Sequence, residues 1–509
     1  MDEHLNLALL IGCVVLLVAL LAVRLTSRTG LPALLLYLAV GVLLGEAGLG
    51  IRFDDYGLTA DVGLLALAVI LAEGGLTTRW AAVRAVLPLA GLLATLGVAV
   101  SVGVVAGAAA LLLGADLRLA VLLGGVVSST DAAAVFSVLR TLQLTERLRS
   151  LLEAESGFND APVVVLVVLA SSDAWATTGP FEALALIGYE LTAGVVIGVV
   201  VGWLGVQLLL RAALPSAGLY PLATVGLALL AFSAGNAAHA SGFLSVYVAA
   251  LVLGRARLPH RRAVLGFAES LALLAEAALF VLLGLLASPA RLPSALGDAL
   301  VIGAAATFLA RPLAVALCAA PFRMPWREQV FLSWAGLRGA VPIVVATIPV
   351  TAGIEGGERV VDVVFVLVVV YTLVQAPTLP LLGRLLRVVD RSLPTDLEVE
   401  AAPLEQVGAD LLQLRVGPGS RLAGVYVGEL RLPPGAHVTL VVRGDRSLVP
   451  DNDTQLRGGD SLLVVVTGGA RADTERRLRA VARDGKLAHW YEGAVARPPV
   501  GERQGGPGD

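Results

Sequence analysis

Glu155-Ser156-Gly157-Phe158-Asn159-Asp160-Ala161-Pro162 places two carboxylates, a hydroxyl and an amide at the head of an apolar run that continues to Ala170. A helix of about 20 apolar residues crosses the ~30 Å hydrocarbon core of a bilayer. An ionisable group held at that depth costs roughly 3 kcal/mol on insertion scales. Such a cluster is either functional or polar glue between helices. On a helix Ser156 and Asp160 are i, i+4 and Ser156 and Asn159 are i, i+3, so the three share a face, with Glu155 on the adjoining one. Hydroxyls alone would suit glue; two acids and an amide do not. All offer hard oxygen donors, matched to an alkali cation and poorly matched to zinc or copper.

The rest of the chain has the composition such a span requires. Its 509 residues are 57% hydrophobic and 15% charged, with mean hydropathy +0.84, where soluble domains carry about 25% charged residues. The charges are uneven, with 32 of the 77 lying in residues 390–509. This predicts a transmembrane body over 1–389, a small soluble domain over 400–485 and a disordered Gly/Pro-rich end over 490–509. Cys13 and Cys318 both lie in apolar runs, which excludes a disulfide-stapled module. A net charge of −3 with no basic, aromatic-interleaved patch excludes a nucleic-acid partner.

Thirteen windows reach spanning length, at about 5–23, 31–49, 58–77, 86–113, 117–139, 148–170, 181–210, 218–238, 241–254, 262–287, 295–320, 328–349 and 360–383. With the N-terminus outside, the inner loops hold 17 arginines and the outer loops four, Arg52, Arg118, Arg291 and Arg359. That bias supports the count and puts the soluble domain in the cytoplasm.

Other charges at membrane depth are Glu73, Asp131, Glu190, Glu269, Glu276, Arg311 and Arg338. Glu269 reads as interfacial, and Glu276 and Arg311 read as partners. Two further stretches look broken. Gly124-Gly125 precedes Ser128-Ser129-Thr130-Asp131, which suits a helix that unwinds mid-membrane and turns its freed carbonyls into cation ligands. Gly336-Leu337-Arg338-Gly339-Ala340-Val341-Pro342 interrupts the twelfth window, seven after the first break. Paired breaks suggest an inverted repeat of windows four to six and eleven to thirteen, the best sequence pointer to a transport site. Asp131 at one crossing and Arg338 at the other would offset the facing half-helix ends.

At these three stretches the sequence resembles the cation:proton antiporter superfamily, in its electroneutral sodium/proton and potassium/proton branch, over the whole membrane body. The resemblance implies an all-α polytopic fold of about thirteen spans with inverted repeats and two crossed broken helices. It implies that Asp160 alternately holds cation and proton, with Ser156, Asn159, Asp131 and the Thr130 carbonyl completing the shell. The transported alkali cation would sit at Asp160, Ser156 and Thr130, and no cofactor is implied. Glu73 would approach the site from the third span, and Glu155 and Arg338 would form a buried ion pair. Asn159-Asp160, in place of two adjacent aspartates, marks the branch expected to exchange one cation per proton.

The overall likeness is greatest to bacterial potassium/proton antiporters with a TrkA-C-like (RCK C-terminal) tail. It implies the cell membrane of a bacterium, a homodimer and K⁺ over Na⁺, with Na⁺/H⁺ exchange the alternative. The tail reads as a small α/β domain with strands near 410–416, 437–443 and 461–466 and a helix over 472–483. The resemblance implies a small ligand there, and the absence of a preceding glycine-rich phosphate loop argues against a dinucleotide. Asp451-Asn452-Asp453 reads as a solvated turn. A tail-gated cation channel would need a Thr-Val-Gly-Tyr-Gly filter, and an intramembrane enzyme a Gly-x-Ser-x-Gly or His-Glu-x-x-His motif. The sequence contains none of them.

Overall fold

The computed structural model describes residues 33–130, 144–388 and 399–485, apart from 47, 51–52, 213, 257, 289, 405–408, 418–419, 445 and 468–469, together with Cys13 and Leu17. The first window, Asp131 and the 490–509 end lie outside the described residues. The chain divides into two compact units, Met1–Val389 and Asp390–Asp509.

The first unit is helical. Helices α1 (Ala33–Leu44), α2 (Tyr56–Thr77), α3 (Trp80–Leu113) and α4 (Leu117–Ser128) lead to α5 (Glu146–Ser171), which carries the acid cluster. Then come α6 (Pro180–Arg211), α7 (Leu219–Ala237), α8 (Gly242–Arg255) and α9 (Arg261–Leu286). The last four are α10 (Leu292–Phe322), the short α11 (Trp326–Trp334), α12 (Ala340–Thr351) and α13 (Gly357–Leu386). Among the described residues eight helices are long and apolar enough to cross a membrane, and α1, α4, α8 and α12 are shorter apolar helices. The fold is that of a helical polytopic membrane protein.

Local chemistry sets the starts. Asp55 accepts the Leu58 N–H at 2.8 Å, Asp116 accepts those of Arg118 and Leu119, and Ser241 accepts that of Leu244. Each satisfies donors that a helix leaves orphaned in its first turn. Close crossings use glycine. A Cβ on Gly41 would stand 2.1 Å from the Val281 carbonyl oxygen, so α1 and α9 meet backbone to backbone. Enclosure differs among the spans. The central window of α5 is 83% buried and that of α13 is 72%, against 28% for α6. The helix with the polar cluster is therefore shielded from lipid by protein, while α6 presents Phe181, Val196, Trp203 and Leu208 outward.

The second unit is a five-stranded antiparallel sheet of order β1-β2-β5-β3-β4. Its strands are β1 (Val399–Leu404), β2 (Ala409–Arg415), β3 (Ala436–Arg443), β4 (Arg446–Leu448) and β5 (Ser461–Thr467). Helix α14 (Arg471–Asp484) packs Leu478, Val481 and Ala482 into a core with Leu412, Leu414, Val464 and Val466. Strands β2, β3 and β5 and the helix stand where the sequence predicts them. The edge strands β1 and β4 are additions, one containing Pro403 and the other three residues long. The turn at Asp451–Asp453 is exposed, as a solvated turn should be.

One buried charge organises this unit. The fully buried Asp460 accepts from Arg443 Nε at 2.9 Å, from its terminal nitrogen at 2.8 Å and from the Arg457 N–H at 2.8 Å. Burial alone would raise the carboxyl's pKa, but these donors hold it below the usual carboxylate range. A group with a depressed folded pKa stabilises above its unfolded value, about 3.9, and loses that contribution as pH falls. Asp460→Asn in the full chain is expected to cost on the order of 2 kcal/mol at pH 7. Faster hydrogen exchange in β3 and β5 would report it, the gap from wild type closing below about pH 4.

Candidate functional site

Helix α4 stops inside the protein. Ser128 turns its hydroxyl back to the Gly124 carbonyl at 2.5 Å, and Ser129 leaves the helix in an extended conformation. Ser128, Ser129 and Thr130 are all buried. Glycine at 124 makes this placement possible, since a Cβ there would lie 2.7 Å from the Val102 carbonyl oxygen of α3.

The opened turn is held by α5. Ser156 Oγ donates to the Thr130 carbonyl at 2.6 Å and Asn159 Nδ2 donates to Thr130 Oγ1 at 2.6 Å. Asp160 is next in the chain and 2% exposed; Glu155 and Asn159 are 1% exposed. Thus Thr130, Ser156 and Asn159 come together, with Asp160 next along α5. Two oxygens beside them, Ser129 Oγ and Asn159 Oδ1, are buried with no hydrogen-bond partner. Buried polar atoms normally find one, and a dehydrated cation is a partner that would suit both. On the other side of α5, Gly157 admits the ring of Tyr247 from α8, which also stacks edge-on against Phe158 with centroids 5.3 Å apart. Glu73 stands partly buried one turn before the end of α2, a helix that touches α5.

The ion pair is a correction. Glu155 pairs with Arg311, not Arg338: both guanidinium terminal nitrogens reach the carboxylate, one of them to Oε2 at 2.9 Å, and a third contact goes to the Leu332 carbonyl at 3.4 Å. The pairing of Glu276 with Arg311 is overturned with it, because Arg311 is committed to Glu155. The cause lies in the backbone. Pro312 cannot donate into the helix, and α10 widens into a π turn over Ala305–Ala310 just before Arg311, a device frequent at functional sites. Gly336 clears the way, since a Cβ there would stand 2.9 Å from Arg311 Nε.

Arg338 has a different task. It lies in the non-helical stretch between α11 and α12, and its Nε donates to the Val127 carbonyl at 2.5 Å. Its guanidinium covers the Tyr371 ring at 4.8 Å, and Tyr371 in turn donates to the Gly303 carbonyl at 2.7 Å. A fixed cation therefore sits on the carbonyl end of α4, where helix ends carry partial negative charge. That much of the expected compensation is present; its acidic half, Asp131, is outside the described residues. Arg311 is readable as an intramembrane charge, but the sequence points to Glu276 as its partner and the structure to Glu155.

Among the described residues no group of three or more His, Cys, Asp or Glu side chains could hold a metal ion. The polar centre is a set of neutral oxygens, from Thr130, Ser156 and Asn159, on the turn of α5 that also carries the buried Asp160. The family model described as sodium/hydrogen exchanger, transmembrane, matches residues 14–385, and that of the TrkA-C domain matches residues 411–479. A protein of Shewanella baltica named K(+)/H(+) antiporter NhaP2 is 36% identical over 485 residues, covering 91% of this chain and 82% of the relative. One of Aphanothece halophytica named Na(+)/H(+) antiporter ApNhaP is 27% identical over 408 residues, covering 75% and 77%. Among solved structures, the sodium proton antiporter MjNhaP1 of Methanocaldococcus jannaschii at pH 8 superposes with a TM-score of 0.67 at 20% identity, covering 75% of this chain and 99% of that one.

Proposed function

The chain belongs to the sodium/hydrogen exchanger family with a TrkA-C domain behind the membrane body, and on that footing we propose that it exchanges K⁺ for H⁺, one for one, at Asp160. It is a cation/proton antiporter, a transporter and not an enzyme, and it works in a lipid bilayer. The observation that carries the site assignment is the bonding of Ser156 and Asn159 to the opened turn at Thr130, directly beside a buried carboxylate. Burial favours the protonated carboxyl and a bound cation favours the ionised one, so the two ligands exclude each other. Ser156, Asn159 and the Thr130 carbonyl supply the neutral oxygens, the family resemblance implies Asp131 as a further ligand, and Glu73 admits ions from the cytoplasmic side.

The finer architecture goes with this reading: thirteen spans, an external N-terminus, a cytoplasmic tail open to a small ligand, a homodimer in the bacterial cell membrane, and two crossed broken helices. Two observations support the inverted repeat. The helix before α4 and the helix before α11 each run 13 residues and then widen into a π turn, at Leu93–Gly97 and Ala305–Ala310. The two breaks also meet, through Arg338 and the Val127 carbonyl.

K⁺ is preferred on the names of the relatives at the higher identity; the names of ApNhaP and MjNhaP1 favour Na⁺ instead. Full-length protein in liposomes with an internal pH dye, given K⁺ or Na⁺ in turn, decides between them. Larger proton flux with K⁺ is expected. Equal or larger flux with Na⁺ would reverse the choice, and K⁺ flux without counter-movement of protons would mean a channel.

A further inference from the structure

Four polar side chains share one stripe of α5. At 3.6 residues per turn Arg149, Glu153, Ser156 and Asp160 fall within an arc of about 60°. Exposure falls steadily along it. The Arg149 and Glu153 side chains are 64% and 26% exposed, and Ser156 and Asp160 are 7% and 2% exposed. From Leu148 to Gly157, Arg149 and Glu153 are the only positions of α5 that are not buried. Charged side chains on a membrane helix face water or the bundle interior and not lipid. The stripe therefore leads water inward from the N-terminal end of α5, its cytoplasmic end in the proposed topology, to the carboxylate that exchanges its ion.

Both flanks of the stripe are built. On one side the opened turn at Thr130 is held by Ser156 and Asn159. On the other the Tyr247 ring of α8 fills the notch at Gly157. The Tyr247 hydroxyl lies beside Thr78, at the end of α2, and within electrostatic reach of Glu153. From Glu153, Ser156 stands about 4.5 Å further along the helix and Asp160 about 10.5 Å. Arg149 Nε donates to Glu153 Oε1 at 3.0 Å. A half-exposed pair at i, i+4 is weak, the more so with the base before the acid, so an incoming cation can displace the arginine.

We propose that Glu153 and Arg149 form the inner mouth of the transport path, a role that rests on the antiport reading above. Glu153 takes up the incoming K⁺, and Arg149, its resting partner, competes with that cation. The ion then passes Ser156 on the same stripe and reaches Asp160. Glu73 serves the same side from α2, which touches α5; Glu153 is the acid on the site's own helix. A half-buried unit charge about 10 Å away changes the occupancy of a cation site a few-fold, even in 0.15 M salt. Arg149 stands about 16.5 Å from Asp160 along the helix, some two Debye lengths in that salt, so it acts through Glu153 and not through its own field.

Half-saturation by K⁺ on the cytoplasmic face, measured with the full-length protein in inside-out vesicles, reads this role. The pH is set alkaline enough that protons do not compete at Asp160, and choline chloride holds the ionic strength. Glu153→Gln is expected to raise the half-saturating concentration about threefold or more. Arg149→Gln is expected to lower it about twofold, because the carboxylate is released. In the double variant the arginine has nothing to act through, so the value should equal that of Glu153→Gln alone. Glu153→Asp keeps the charge and should stay near wild type. A Glu153→Gln value equal to wild type, or an Arg149→Gln effect that persists in full in the double variant, overturns the mouth. If Glu153→Gln fails to insert, Arg149→Gln decides alone: a lowered value supports the mouth, and an unchanged or raised one overturns it. Wild type without K⁺-driven proton flux would instead overturn the antiport reading.

Discussion

Asp160→Asn is expected to abolish cation-driven proton flux in liposomes while the protein still inserts and folds. The substitution keeps size and hydrogen-bonding capacity, so Ser156 and Asn159 can hold the Thr130 turn as before. What it removes is the one group in the described centre that can be either charged or neutral. An amide cannot trade a proton for a cation, and a neutral shell gives a desolvated cation no compensating charge. The loss should therefore be complete in every cation tested. Glu73→Gln should slow exchange and leave it measurable, because an approach acid raises the local cation concentration without being the exchanging group.

Arg311→Met and Glu155→Gln, each alone, are expected to destabilise the full-length protein by about 3–5 kcal/mol, since either leaves a buried charge with no counterpart. Glu155 is 1% exposed and Arg311 7%. The double variant should recover much of the loss, giving a coupling of 1 kcal/mol or more, in the range found for contacting residues. Arg338→Met has a different signature. It uncovers the Val127 carbonyl and the Tyr371 ring, costs stability and exchange rate, and is not rescued by Glu155→Gln. Thermal unfolding of the purified variants reads all of these, and rescue of Arg338→Met by Glu155→Gln would show that Glu155 pairs with Arg338 after all.

Much of this was legible in local sequence. The 155–160 cluster, the glycine-flanked hydroxyls before Asp131 and the broken stretch at 336–342 signal themselves through residues that make no sense inside an ordinary span. The strands of the tail are marked by alternation and by glycine turns. Ion-pair partners were less legible, because Glu155 and Arg311 are 156 residues apart and which arginine arrives depends on how α10 and the stretch after α11 pack. The absent Cβ of Gly336 and the π turn before Arg311 decide it, and neither has a periodic signature. The β1 and β4 edges were missed for a plainer reason: Pro403 and a three-residue length give pattern reading too little to work with.

If Asp160 holds either a proton or a cation, the K⁺ concentration giving half-maximal exchange must depend on pH in a set way. Below the pH at which the site is half protonated, each unit of acidification raises proton occupancy relative to the empty site about tenfold. The most direct measurement is therefore half-saturation by K⁺ across a series of pH values set equally on both sides of the liposome membrane. The account predicts a half-saturating K⁺ concentration that climbs about tenfold per pH unit on the acid side, with the maximal rate little changed. A half-saturating concentration that stays constant while only the maximal rate falls would contradict competition at one carboxylate.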